Sequence, residues 1–242
     1  MSPSLAAVDP PRGLGDLPWA ELAEAWREDG YAVVPGLLSA EGCRALVALY
    51  PEEARFRSRV DMARHGFGRG EYSYFARPLP PLVAELRESL YAPLAVWANE
   101  MAAELGDAVR FPPRHAEFLA RCRASGQVEP TPLLLRYRAG DYNCLHRDLY
   151  GATVFPLQVA IALSEPGVDY RGGEFALVEN RPRQQSRVCV LSLRRGDMVV
   201  FPVADRPMAG RRKVVRASFR HGVSRVESGE RWTLGIIFHD AR

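Results

Sequence analysis

The chain has 242 residues, 47% of them hydrophobic and 25% charged, with a formal net charge of +3. That balance belongs to an ordinary folded domain with enough chain for a full core, and it excludes disordered, collagen-like and low-complexity classes. Four cysteines without paired spacing (Cys43, Cys122, Cys144, Cys189) argue against a disulfide framework or a cysteine zinc site and for a reducing compartment, the cytoplasm being the simplest.

Residues 1–15 lack the basic start and apolar run of a signal peptide and read as a flexible arm. Residues 16–130 form a mixed, mostly helical region. A helix from Trp19 to Asp29, a short apolar strand at Tyr31-Ala-Val-Val-Pro and a second helix begun at Ser39 make a compact lead-in, with Gly30 and Gly36 as stops. A helical hairpin is expected around Pro81 to Gly106, broken or kinked at Pro93, and its Glu85, Arg87, Glu88 and Glu100 exclude a membrane span. From residue 131 to 242 the pattern changes to short strands separated by Gly, Pro and Asp. The candidates are Leu133 to Tyr137, Leu157 to Ser164, Glu174 to Val178, Arg187 to Leu193, Met198 to Val203, Val214 to Phe219 and Trp232 to Phe238. Strands without regular helices between them predict an α+β fold with a mainly β core. Its architecture would be a double-stranded β-helix (jelly roll) with the N-terminal helices packed on one sheet.

That core carries His146-Arg147-Asp148 and, 73 residues after Asp148, His221; Arg231 follows ten residues later. In a strand, residues i and i+2 share a face, so His146 and Asp148 can hold one ion while Arg147 points away, and His221 returns on another strand. Two histidines and one carboxylate on one face of an octahedral ion leave three positions open, which suits non-haem Fe(II) oxygen chemistry. The same spacing recurs in His115-Ala-Glu117, but residue 125 is Ser and the Pro-Cys-x-x-Cys of zinc deaminases is absent. His115 and Glu117 therefore read as polar residues of a helix or loop. Arg231 suits an anion, because a guanidinium fork matches a carboxylate and keeps its charge when buried.

The stretch Tyr137-Arg-Ala-Gly140-Asp-Tyr142-Asn143-Cys-Leu-His146-Arg-Asp148, with His221 and Arg231-Trp-Thr233, resembles the Fe(II)/2-oxoglutarate-dependent dioxygenases. The resemblance implies iron ligation by His146, Asp148 and His221. It also implies a salt bridge from Arg231 to the distal carboxylate of 2-oxoglutarate, a supporting hydroxyl on Thr233, a co-substrate contact from Tyr137, and O2 as the oxidant. The block from Leu133 to Ala241 is similar, more narrowly, to a bacterial family described as AlkB-like oxidative demethylases of alkylated DNA. That likeness implies loss of N-methyl groups as formaldehyde, with succinate and CO2 as co-products. The ten-residue spacing from His221 to Arg231 is instead closer to prolyl-hydroxylase-like enzymes, so a protein or small-molecule hydroxylase is the alternative. A non-catalytic nucleic-acid-binding barrel is the third reading, disfavoured because all four site residues are kept.

Charge bears on the substrate. Between Arg181 and Arg231 there are thirteen Arg or Lys against four Asp or Glu, and Arg206, Arg211, Arg212, Lys213, Arg216 and Arg220 cluster before His221. Such a patch suits a phosphate backbone. Upstream, Arg64 to Arg77 interleaves cations with Phe67, Tyr72, Tyr74 and Phe75. This segment reads as a mobile lid over the site or as a stacking platform for a single-stranded or flipped base. Asn143, Tyr150 and Gln158 are expected to face either the substrate or the co-substrate.

Overall fold

The computed structural model describes residues 13–210 and 213–242. Two antiparallel sheets face one another, and helices cover the outer side of the larger one. Helix α1 (Trp19–Asp29) buries Leu22, Ala23 and Trp26 and ends at Gly30, whose left-handed φ of 84° lets its N–H reach the Trp26 carbonyl. Strand β1 (Ala32–Val34) follows, and then α2 (Ala40–Ala48), whose first turn is capped by the Ser39 hydroxyl accepting from the Gly42 N–H at 3.1 Å. Strands β2 (Phe56–Asp61), β3 (Gly68–Arg69) and β4 (Glu71–Phe75) precede α3 (Pro81–Leu105) and α4 (His115–Ala124).

The second half supplies β5 (Leu133–Arg138), β6 (Tyr142–His146), β7 (Leu157–Ala162), β8 (Tyr170–Gly172) and β9 (Phe175–Asn180). It continues with β10 (Arg187–Leu191), β11 (Met198–Pro202), β12 (Asp205–Ala209), β13 (Val214–Val223) and β14 (Val226–Ile237). The larger sheet runs β1-β11-β7-β14-β5-β4-β2, with β8 on β14. The smaller runs β10-β9-β13-β6-β3, with β12 on β13. This is the double-stranded β-helix with helices on one sheet.

Alternation along the strands sorts side chains into two layers. On β14, Trp232, Leu234 and Ile236 join the helices in the main apolar core, as do Leu157, Val159 and Ile161 of β7. Their neighbours Arg231, Thr233, Gly235 and Ile237, with Gln158 and Ala160, face the space between the sheets.

Four expectations are corrected. The segment Pro81–Leu105 is one helix and not a hairpin, and Pro93 lies inside it. Apolar residues buried along its whole length, from Leu82 to Met101, hold it against the sheet, and that packing outweighs the hydrogen bond which Pro93 cannot donate. The lid segment is built into the sheets, with β4 paired to β2 and β5, and β3 paired to β6. At Gly68, with φ of 131°, a Cβ would stand 2.4 Å from the Tyr142 carbonyl, so glycine permits this close seating. Leu14 and Gly15, assigned to the arm, form a 3-10 turn with Asp16, and the Leu14 carbonyl accepts from the Trp19 indole; residues 1–12 lie outside the described residues.

The fourth correction concerns charge. Arg206 is only 1% exposed. It donates to the carbonyls of Trp26, Arg27 and Glu28 at the C-terminus of α1 and to Glu179 at 3.1 Å. A cation at that end of a helix satisfies its orphan carbonyls. Arg216 pairs with Asp107 at 3.0 Å. Burial alone would raise the Glu179 carboxyl, but Arg181 and Arg206 donate to it and hold it below the usual range. A depressed folded value stabilises above the unfolded value and is lost as protonation begins. Thermal stability is therefore expected to fall as the pH drops below about 4.5, and Glu179→Gln should flatten that acid limb in melts taken across pH.

Candidate metal and co-substrate site

Strands β6 and β13 run antiparallel in the smaller sheet, and their register sets His146 directly opposite His221. The two imidazole centroids are 4.2 Å apart. Asp148 lies two residues beyond the end of β6 rather than within it, yet its carboxylate meets both rings. Oδ2 is 3.2 Å from His221 Nε2, and Oδ1 is 3.6 Å from His146 Nε2. One donor atom from each residue lies within 4.8 Å of the others, and Asp148 and His221 are buried. Arg147 does not join them; its Nε donates to the Phe219 carbonyl.

The protonation pattern suits ligation. His146 Nδ1 is 2.8 Å from the Cys144 carbonyl, which fixes that nitrogen as the donor and leaves Nε2 as the free lone pair. Burial, and then the neighbouring His221 ring, lower the His146 pKa and favour the neutral form that binds a metal. Burial pushes the Asp148 carboxyl upward, but the adjoining His221 and His146 rings and the hydrogen bond from Tyr150 outweigh it and keep the group ionised. The donor set and its convergence fit a divalent first-row metal with open positions.

Tyr150 donates to Asp148 Oδ1 at 2.7 Å, and Tyr74 donates to Tyr150 at 3.1 Å. The Tyr150 hydroxyl therefore orients a ligand rather than ligating. Tyr150→Phe is expected to weaken metal affinity by roughly ten- to a hundredfold, as loss of a ligand's hydrogen-bond partner usually does. A cobalt or iron titration of the two proteins measures this, with Tyr74→Phe, one bond further away, moving it less.

Across the gap, Arg231 is 4% exposed and has no carboxylate within ion-pair distance among the described residues. Its Nη1 donates to Thr233 at 2.6 Å, while its Nε has no acceptor. The guanidinium lies 5.5 Å from the Tyr137 ring and 6.0 Å from that of Tyr170. Aromatic rings and one hydroxyl cannot replace a counter-ion, so this buried cation is built for an anion that enters the cavity. Tyr137 is fully buried, and burial pushes its phenol up to about 12, so it stays protonated; it accepts from Asn143 at 3.2 Å.

Both halves open into one cavity of about 330 Å³. Tyr72, Tyr74, Asn143, Tyr150 and Gln158 line it, together with the triad, Arg231 and Thr233. Of the basic residues expected near the substrate, Lys213 is exposed but eight residues up β13 from His221, about 26 Å of extended chain. It does not line the cavity, and Arg211 and Arg212 lie outside the described residues.

Two participants escaped the sequence. Tyr170 flanks Arg231 from β8, and Gly173 makes room for both: a Cβ there, at φ of 64°, would stand 3.0 Å from Arg231 Cδ. At the mouth, Phe67 is 49% exposed and stacks on His65. His115, by contrast, is buried with Nε2 2.8 Å from the Phe238 carbonyl, a structural role as expected.

Residues 70–241 match the Oxygenase-NA family, described as an oxygenase catalysing oxidative methylation of damaged DNA. The chain is 46% identical over 173 residues to the uncharacterized proteins Rv2227 (strain H37Rv) and MT2286 (strain CDC 1551) of Mycobacterium tuberculosis, covering 72% of this chain and 74% of each relative. Among solved structures it is similar to a Pseudomonas putida prolyl-4-hydroxylase, with a TM-score of 0.53 at 15% identity over 93% of this chain and 99% of that one. It is equally similar to a Burkholderia pseudomallei oxidoreductase of the 2OG-Fe(II) oxygenase family, with a TM-score of 0.53 at 16% identity over 93% and 94%. At such identities these structures share the fold alone.

Proposed function

Because the chain belongs to the Oxygenase-NA family, and is by that membership and its fold an Fe(II)- and 2-oxoglutarate-dependent oxygenase, we propose that it oxidises N-methyl groups on alkylated bases of DNA. The observation that carries this reading is the pairing of the triad with an uncompensated Arg231 across one aromatic cavity. An oxygen-inserting site cannot add a methyl group to a base. What it does to one already there is hydroxylate it, and a hydroxymethyl on nitrogen collapses to formaldehyde and the bare base.

His146, Asp148 and His221 would hold the iron, which with 2-oxoglutarate supplies the activated oxygen. The chain's own contribution is positional. Arg231, braced by the Thr233 hydroxyl, would hold the distal carboxylate of the co-substrate. Tyr150 fixes the Asp148 carboxylate. The burial of Tyr137 and Phe201 keeps water from the floor of the cavity. Tyr72 and Tyr74 stand edge to face, their centroids 5.4 Å apart, and wall one side of the cavity with aromatic surface that a base can pack against. Phe67 at the entrance suits a stacked base. A base must leave the helix to reach the triad, so a single strand or a flipped nucleotide is the substrate form. No helix among the described residues is long and apolar enough to cross a membrane.

The test is succinate formation with Fe(II), ascorbate and 2-oxoglutarate in three arms: an oligonucleotide carrying 1-methyladenine or 3-methylcytosine, its unmethylated twin, and a proline-rich peptide. Stimulation by the methylated strand alone supports the proposal. Stimulation by the peptide alone overturns it in favour of protein hydroxylation.

A further inference from the structure

Gln158 is the one polar residue of the otherwise apolar strand Leu157–Ala162. It is 3% exposed, lines the cavity, and its Nε2 finds no acceptor among the described residues. A buried amide left unsatisfied costs stability, so its retention inside the site points to a ligand that completes it.

Register locates that ligand. Gln158 pairs with Ile237 on β14 and with Phe201 on β11. Ile237 packs with Tyr74 and Tyr150, and the Phe201 ring is 4.9 Å from that of His221. The amide therefore stands between the tyrosine wall and the triad. Arg231 is six residues along β14 from Ile237, about 20 Å of strand, more than a five-carbon dicarboxylate spans. The rungs between them are Thr233 opposite Ala162 and Gly235 opposite Ala160, and the Leu133 side chain packs over Gly235.

We propose that Gln158 reads the substrate base, and that it selects methylated adenine over methylated cytosine; this rests on the DNA reading above. A carboxamide presents a donor and an acceptor side by side. 1-Methyladenine keeps the matching pair, its exocyclic amino group and N7, on the edge away from the methyl group. 3-Methylcytosine has a C–H beside its amino group and offers no acceptor there. The adenine edge thus makes two hydrogen bonds with Gln158, its amino group donating to Oε1 and its N7 accepting from Nε2, whereas the cytosine amino group makes only the first and leaves Nε2 without an acceptor.

The experiment compares kcat/KM for single-stranded oligonucleotides carrying 1-methyladenine or 3-methylcytosine, with wild type, Gln158→Met and Gln158→Glu. The ratio of two substrates on one preparation does not depend on how much of a variant is folded. Wild type is expected to favour 1-methyladenine by roughly tenfold. Gln158→Met should bring the ratio near one, chiefly by raising KM for the adenine strand, while KM for 2-oxoglutarate moves less. A ratio unchanged in both variants overturns the role of Gln158 but leaves the DNA reading intact. A rise confined to KM for 2-oxoglutarate reassigns Gln158 to the co-substrate. Wild type inactive on both methylated strands overturns the DNA reading and the selection together.

Discussion

Asp148→Ala and His221→Ala are each expected to abolish 2-oxoglutarate turnover, lowering it by about a thousandfold or more, since metal-ion stabilisation of several kcal/mol is lost. The geometry explains why neither change is partial. The cross-strand pair of His146 and His221 is rigid because both residues are fixed by sheet register, whereas Asp148 hangs beyond the end of β6 and is held by Tyr150. Removing either side leaves two donors, too few to hold a labile divalent metal in one orientation. Iron content measured on the purified variants should fall together with activity. Turnover surviving in Asp148→Ala with full iron content would remove the carboxylate from the ligand set.

The second large effect lies at Arg231. Arg231→Ala should raise KM for 2-oxoglutarate by roughly a hundredfold, since a buried, charge-assisted bidentate contact is worth about 3 kcal/mol at the upper end of its range. Arg231→Lys should recover only part, because a compact ammonium lacks the fork. The same variants make an opposite prediction about stability. Without co-substrate, Arg231 is a buried cation with no acid partner among the described residues. Arg231→Met is therefore expected to melt no lower than wild type in the absence of 2-oxoglutarate, and the added co-substrate should raise the melting temperature of wild type only. A large loss of unliganded stability in Arg231→Met would mean that the guanidinium is a structural brace.

The site was more legible in the chain than the frame that carries it. His146, Asp148, His221 and Arg231 are chemically distinctive residues, and their spacing is imposed by strand geometry and by the length of one circuit of the barrel. Strands of the second half showed as β-rich runs between turns, so β5, β7, β9, β10 and β11 fell near their expected bounds, while β13 ends four residues later and β14 begins six residues earlier than the pattern suggests. The segment from Arg64 to Arg77 reads as a lid because its Arg and Gly content is that of a loop, while tertiary pairing with β5 and β6 makes much of it strand. Pro93 was overvalued for a similar reason: packing along α3 decides the helix. The basic cluster misled most. Arg206 looks like a solvent-facing cation in sequence, yet it is buried against the end of α1 and pairs with Glu179, while the exposed Arg216 pairs with Asp107, 109 residues away. Counting charges along a chain cannot tell a binding patch from internal ion pairs.

The most direct measurement is the intact mass of a 1-methyladenine oligonucleotide before and after incubation with the iron-loaded protein, 2-oxoglutarate and O2. The account predicts a product lighter by one CH2, with formaldehyde and succinate formed in equal amounts. An unchanged oligonucleotide while 2-oxoglutarate is consumed, or one heavier by a single retained oxygen, would contradict it.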